Sequence, residues 1–223
     1  MIKVVMFDLD GTLVDSSVDI TNALNYAAGP YGVGKMSVKE TIGLVGEGLT
    51  RLIEKVLGNE RAAVVPEVLD RFVGYYSAHL VDVTLPYKGV RETLDRLGNY
   101  RKAVISNKRE SLSKELLDKL GLAKYFDIVL GSDSVEEKKP SPRPIMKVLE
   151  SFSLRPEEAV IVGDSNFDID AGRAAGTKTI AVSYGFRDVG LLKGADFIID
   201  NFAELVPVLD ELNAGRLNSP RSS

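Results

Sequence analysis

The chain has 223 residues, 44% of them hydrophobic, and 28 lysines and arginines against 32 aspartates and glutamates give a formal charge of -4. That is enough to bury a full core, and without a basic surplus neither nucleic acid nor an anionic membrane is expected as a partner. The absence of cysteine excludes disulfides, thiolate metal sites and a cysteine nucleophile, and with no basic segment leading into a long apolar run at the start, a cytoplasmic protein is expected.

The first element is a strand, Ile2 to Phe7, apolar except at Lys3, and it runs straight into Asp8-Leu-Asp10-Gly-Thr-Leu-Val-Asp15-Ser16. Carboxylates are costly to bury unless paired or bound to a cation, so two acids at the end of a buried strand mark a reaction centre. From about Ser16 to Val83 the apolar positions recur at helical spacing: Ile20, Ala23, Leu24 and Ala27; then Leu49, Leu52, Ile53, Val56 and Leu57; then Leu69, Phe72, Val73, Tyr76 and Leu80. From Pro86 onward helix and strand alternate. The strands are Ala103–Ser106, Asp127–Leu130, Ala159–Val162, Thr179–Val182 and Phe197–Ile199, with amphipathic helices between them. A last helix, around Leu205 to Leu212, follows Asn201 and Glu204, spaced as in a capping box.

Parallel neighbours need crossovers, so this alternation predicts an α/β protein: a Rossmann-like parallel sheet core with helices on both faces and an inserted all-helical cap domain. The expected core is 1–15 with 86–213, and the cap is 16–85, hinged near Asp15 to Ser17 and near Leu85 to Gly89. The polar residues 214–223 are expected to form a disordered tail.

Ligands of open parallel sheets bind beyond the carboxyl ends of the strands. Here those ends deliver Asp8 and Asp10, then Ser106-Asn107-Lys108, then Lys138-Lys139-Pro140, then Gly163-Asp164-Ser165-Asn166-Phe167-Asp168. Carboxylates, small polar donors and a cation on one rim suit an anion held together with a hard metal.

The ordered set DLDGTLVDS, VISNK, KKPSPRP and VGDSNFDID resembles the haloacid dehalogenase-like hydrolase superfamily across residues 1 to 213, and the helical insert is similar to that of its phosphoglycolate phosphatase-like subgroup. The resemblance implies a Mg2+-dependent phosphatase acting on a small phosphorylated metabolite, with 2-phosphoglycolate the best single substrate. Asp8 would be the nucleophile that forms an aspartyl-phosphate, and Asp10 the acid and base. Metal ligands would be Asp8, the backbone carbonyl of Asp10, and Asp164; Asp168 would act through water or orient Lys139. Ser106, Asn107, the N–H groups of Gly11 and Thr12, and the charge of Lys139 would bind the phosphoryl group.

Several residues keep two readings. Ser16 with Asp19 forms either a helix N-cap and its partner or part of the site. Arg51 either meets a substrate carboxylate or is a solvated helix charge. His79, the single histidine, shares a face with Val68, Phe72 and Tyr75 and reads as a packed or partly buried residue near the hinge. Rival activities within the family are inorganic pyrophosphatase and sugar-phosphate phosphatase. A phosphomutase is less favoured, for want of a histidine soon after Asp15, and so is a non-catalytic binder, since Asp8, Asp10, Lys139 and Asp164 are all present. A monomer or a homodimer fits equally.

Overall fold

The computed structural model describes residues 1–217. Six strands form one parallel sheet in the order β5-β4-β1-β6-β7-β8, comprising β1 (Val4–Phe7), β4 (Arg101–Ile105), β5 (Ile128–Leu130), β6 (Ala159–Gly163), β7 (Lys178–Val182) and β8 (Phe197–Ile199). The chain starts in the middle of the sheet, moves outward through β4 and β5, and returns to build β6 to β8 on the other side of β1. The strand order therefore reverses at β1, which places the switch point of the sheet at Asp8 and Asp10.

The alternation of side chains explains why β1 reads as a continuous apolar run. Val5 and Phe7 join a core with Val104, Val160, Val162, Val90 and Leu94 of α5 (Val90–Arg96), and Leu112 and Leu116 of α6 (Glu110–Lys119). Val4 and Met6 pack on the opposite face with Ile145, Val148 and Leu149 of α7 (Arg143–Phe152) and Ala171 and Ala175 of α8 (Asn166–Ala175). With helices on both faces every position of β1 is buried, and each such side chain contributes about 1.5–3 kcal/mol by its burial.

Between β1 and β4 lies the helical insert: α1 (Ser17–Ala28), α2 (Val38–Leu44), α3 (Leu49–Leu57) and α4 (Val65–Ala78). Helices α1, α3 and α4 bury Ile20, Leu24, Ile53, Val68 and Phe72 in one cluster continuous with the Val5 and Phe7 face of the sheet. The two chain crossings into the insert run side by side, since β2 (Val14–Asp15) pairs antiparallel with β3 (Leu85–Pro86). These short strands escape the sequence pattern because two residues are too few to show alternation.

The last helix, α9, spans Leu205–Leu217, so residues 214–217, expected in a polar tail, are helical; the rest of that tail, 218–223, lies outside the described residues. Its approach is a short 3-10 turn over Phe202–Glu204, and Pro207 sits harmlessly in the first turn. The expected capping box does not form: Glu204 reaches back to the Asp200 N–H at 3.0 Å and also accepts from the Asn201 amide, while the Asn201 side chain caps no N–H. Among the described residues no helix is long and apolar enough to cross a membrane.

Candidate active site

The sheet delivers its strand ends to one point. The Asp8 N–H still belongs to the ladder, donating to Val162 O at 2.9 Å, while its side chain has left the sheet. Asp8, Asp164 and Asp168 each offer a carboxylate oxygen, all within 4.8 Å of one another. One ammonium pairs with two of the three acids, Asp8 and Asp168. Lys139, only 2% exposed, donates to Asp168 Oδ1 at 2.6 Å and to Ile105 O at 2.7 Å, and lies 3.0 Å from Asp8 Oδ1.

One cation cannot compensate three buried carboxylates. Burial, reinforced by the Asp168 charge and opposed by Lys139, pushes Asp8 up to about 6. Asp164 is raised well above the ordinary range by burial and by the neighbouring charges of Asp8 and Asp168. Burial works against the Lys139 ammonium, but the charges of Asp168 and Asp8 outweigh it and raise its pKa. The site is short of positive charge, and its donors are hard oxygens.

Each acid is held in place. Asp164 Oδ2 accepts the Phe186 N–H at 2.7 Å, and Oδ1 faces the Thr12 hydroxyl at 3.4 Å. Gly11 has φ +84°, and any Cβ there would overlap the Asp164 carboxylate, so a side chain is excluded both by conformation and by space. Asp168 Oδ2 accepts from Ser165 N at 3.1 Å and Ser165 Oγ at 2.6 Å, closing a capping box at the start of α8.

Asp10 belongs to a second cluster. Its Oδ1 accepts from Ser16 Oγ at 2.6 Å, and Lys108 Nζ donates to Oδ1 at 2.9 Å and Oδ2 at 2.8 Å. The same Nζ reaches the Tyr76 hydroxyl of α4 at 2.9 Å. The capping reading of Ser16 and Asp19 does not hold: Ser16 caps no N–H, because its hydroxyl is spent on Asp10. Asp19 instead accepts from Val83 N, Thr84 N and Thr84 Oγ1 at 3.0, 2.8 and 2.7 Å, tying α1 to the returning hinge.

Of the expected phosphoryl ligands, Ser106 is buried, and its Oγ lies 3.3 Å from the Lys108 N–H, which donates to it. The Asn107 amide donates to Gly46 O of the insert at 2.7 Å and to Lys139 O at 2.9 Å, while its Oδ1 has no partner. The N–H groups of Gly11 and Thr12 are consumed by the turn itself, donating to Val14 O and Leu9 O at 2.9 and 3.3 Å. That geometry assigns Gly11 to loop shape rather than to anion binding.

A cavity opens between the insert and the rim, lined by Asp8, Asp10, Asp164, Ser106 and Asn107 on one side and by Ile20, Leu49, Leu52 and Phe72 on the other. Lys108, Arg109 and Arg187 supply its cations. Arg51 does not line it: the side chain is 57% exposed on α3 and pairs with Glu54 at 2.6 Å. His79 is half-buried, stacked on Tyr75 with ring centroids 4.1 Å apart, and bonded to Asp82 at 2.7 Å.

Lys108, Tyr76, Phe186 and Arg187 are site residues without a role assigned from the sequence. Lys108 stood in a strand-end motif already singled out. Phe186 and Arg187 follow the end of β7, a further strand terminus on the same rim, and the rule that located the other motifs points there too. Tyr76 carries no such signal, since it lies in the apolar stripe of α4.

The sequence profile described as haloacid dehalogenase-like hydrolase matches residues 5–182. Among curated proteins, a phosphoglycolate phosphatase of Aquifex aeolicus is 40% identical over 93% of this chain and 97% of its own length. One of Chromobacterium violaceum is 39% identical over 93% and 96%. Among solved structures, a predicted phosphoglycolate phosphatase of Haemophilus somnus superposes with a TM-score of 0.87 at 28% identity, covering 93% of this chain and 98% of that one.

Proposed function

The chain belongs to the haloacid dehalogenase-like hydrolases, and from that premise we propose that it is a magnesium-dependent phosphatase that hydrolyses 2-phosphoglycolate through an aspartyl-phosphate on Asp8. The observation that carries this reading is the convergence of the Asp8, Asp164 and Asp168 carboxylates within 4.8 Å of one another, with the ammonium of Lys139 paired to Asp8 and Asp168. The phosphoglycolate phosphatase names of the 40% and 39% identical relatives support the substrate.

The residues fit a hard divalent cation. Three carboxylates against one ammonium leave negative charge uncompensated, and burial holds Asp8 and Asp164 above their ordinary range. Asp8, Asp164 and the carbonyl of Asp10 would hold Mg2+. Both oxygens of Asp168 are already engaged by Lys139 and Ser165, which favours its role as the orienter of Lys139 over that of a ligand. Bound there, the cation supplies positive charge to the phosphoryl oxygens.

The chain's own groups supply the rest. A phosphate monoester repels nucleophiles, so the attacker must be held in line and the charge met by fixed donors. An Asp8 carboxylate oxygen bonds to phosphorus as the ester P–O bond breaks, and Asp10 passes a proton to the departing oxygen. Water then attacks the phosphorus of the aspartyl-phosphate, giving its proton to Asp10 and releasing phosphate with Asp8 restored. Lys139 fixes Asp8 and faces the same anion. Ser106 Oγ, which accepts the Lys108 N–H, keeps its own proton for a phosphoryl oxygen.

The test is phosphate release from 2-phosphoglycolate, pyrophosphate and sugar phosphates, with and without Mg2+, by wild type and Asp8→Asn. The expected result is Mg2+-dependent turnover with the highest kcat/KM on 2-phosphoglycolate and none in Asp8→Asn. Turnover without a divalent cation, or by Asp8→Asn, overturns the mechanism, and a preference for pyrophosphate or a sugar phosphate overturns the substrate.

A further inference from the structure

We infer that Lys108 is a positioning residue that holds the carboxylate of Asp10, and that Tyr76 of the insert is its anchor. The consequence for catalysis rests on the phosphatase reading above; the geometry does not.

An ammonium has three protons, and Lys108 spends all three inside the protein: on Asp10 Oδ1, Asp10 Oδ2 and the Tyr76 hydroxyl, at 2.9, 2.8 and 2.9 Å. The side chains of Lys108 and Asp10 are only 8% and 12% exposed. Desolvating such a pair is unfavourable unless every donor is satisfied, so this is a built arrangement and not a surface ion pair. A lysine whose protons are all committed does not bind substrate. It holds what it is bonded to.

Two separate segments bond that carboxylate, and a third reaches it through Lys108. Ser16 comes from the crossing into the insert, Lys108 from the end of β4, and Tyr76 from α4, where its hydroxyl and its ring both face the ammonium, the ring centroid at 4.7 Å. Tyr76 is fully buried, and burial, ahead of the nearby Asp10 charge, pushes its hydroxyl up to about 12, so it stays a neutral partner. An aspartate has two rotatable bonds, and a proton-transfer group must be held within hydrogen-bond reach of its target. Lys108 removes the rotation, and Tyr76 removes the corresponding freedom of Lys108. The insert thereby touches the proton-transfer residue through a core lysine.

The experiment uses the full chain with Mg2+ and 2-phosphoglycolate, comparing Lys108→Met, Lys108→Arg and Tyr76→Phe with wild type, together with crystal structures of wild type and Lys108→Met. Loss of positioning lowers kcat about 10- to 100-fold in Lys108→Met. It lowers kcat about 3- to 10-fold in Tyr76→Phe, which keeps the packing ring and loses one hydrogen bond. In both, KM stays within about twofold, since ground-state binding is untouched. Lys108→Arg, which can still grip a carboxylate with two parallel donors, regains part of the loss. In the crystals, the Asp10 carboxylate is single and paired to Lys108 in wild type and takes another rotamer, or several, in Lys108→Met.

A raised KM with unchanged kcat overturns the inference in favour of a substrate ligand. Activity lost only in proportion to folded protein in Tyr76→Phe overturns it in favour of a structural staple, as does an unmoved Asp10 in the Lys108→Met crystal. Should wild type hydrolyse no phosphate ester, the phosphatase reading falls alone, and the two crystal structures still decide whether Lys108 positions Asp10.

Discussion

The Lys139 ammonium lies 2.6 Å from the Asp168 carboxylate, and both side chains are 2% exposed. Asp168 also closes the capping box of α8 through Ser165, so one carboxylate joins the start of a helix to the cation beside Asp8. Removing one member of a buried pair leaves the other uncompensated, at about 3–5 kcal/mol. Lys139→Met should therefore destabilise metal-free protein by about that much in urea unfolding near pH 7. The loss should shrink near pH 5, where Asp8 takes up a proton and the surplus negative charge falls. An equal loss at both pH values would show that the charge imbalance is not what Lys139 relieves.

The raised carboxylates give metal-free protein an unusual pH dependence. Asp8 titrates at about 6 when folded against 3.8 ordinarily, and Asp164 is shifted the same way, so the native state binds protons more tightly than the unfolded chain. For Asp8 stability is gained as pH falls through about 6 and lost as it rises again, and Asp164 contributes with the same sign. Acids shifted downward, such as Glu158 at about 2, stabilise above their ordinary value of 4.5 and lose that only in stronger acid, outside this window. Protein stripped with a chelator should melt at a higher temperature near pH 5 than near pH 7, with a flatter profile in Asp8→Asn. Mg2+ should raise the midpoint more near pH 7, because the ion competes with protons for the same oxygens. Scanning calorimetry across this range, with and without the ion, checks all three.

The strand ends were legible because periodicity locates strands, and a parallel sheet puts every carboxyl end on one rim whatever the loops do. Asp8, Ser106 and Asp164, each directly after a strand, come together for that reason, whereas Lys139 is brought in by the loop between β5 and α7. Side-chain direction was not legible: nothing local distinguishes Asp8, aimed at Lys139, from Asp10, aimed at Lys108. The partners of Asp10 and Asp19 lie 98 and 65 residues away, and those pairings depend on how the insert packs on the sheet. Arg51 failed as a candidate for the same reason, since helical spacing names a face of α3 without saying which face meets the cavity.

Asp19 shows what such a distant pairing contributes. The carboxylate is 1% exposed, and one oxygen, Oδ2, accepts two backbone N–H groups and the Thr84 hydroxyl where the insert returns to the core. Asp19→Ala leaves those donors unsatisfied and should cost about 2–4 kcal/mol in denaturant unfolding. Asp19→Asn keeps an acceptor and should recover part of that. A cost below about 1 kcal/mol, the usual effect of losing a helix cap, would mean that Asp19 acts on α1 alone.

Arg187 spans from the loop after β7 to the insert, where its guanidinium donates to Gly43 O at 2.8 Å and to Val45 O, and it lies over Phe167. Helix α2 ends at Leu44, so these are carbonyls that its last turn leaves without partners, and a cation is favoured there by the helix dipole as well. Gly46, next along, has φ +124°, and any Cβ there would press on Arg187 and Phe167. The insert's loop is thus held against the rim beside the cavity without touching the three-carboxylate group. Arg187→Ala should raise KM roughly tenfold, the equivalent of about 1.4 kcal/mol, while kcat falls less. Its effect on the melting temperature should be small, because the contact is partly exposed. Arg187→Lys should not restore KM, since a single ammonium does not reproduce a planar fork that reaches two carbonyls at once. Steady-state kinetics on the three proteins separates this from a catalytic role, which would lower kcat at unchanged KM.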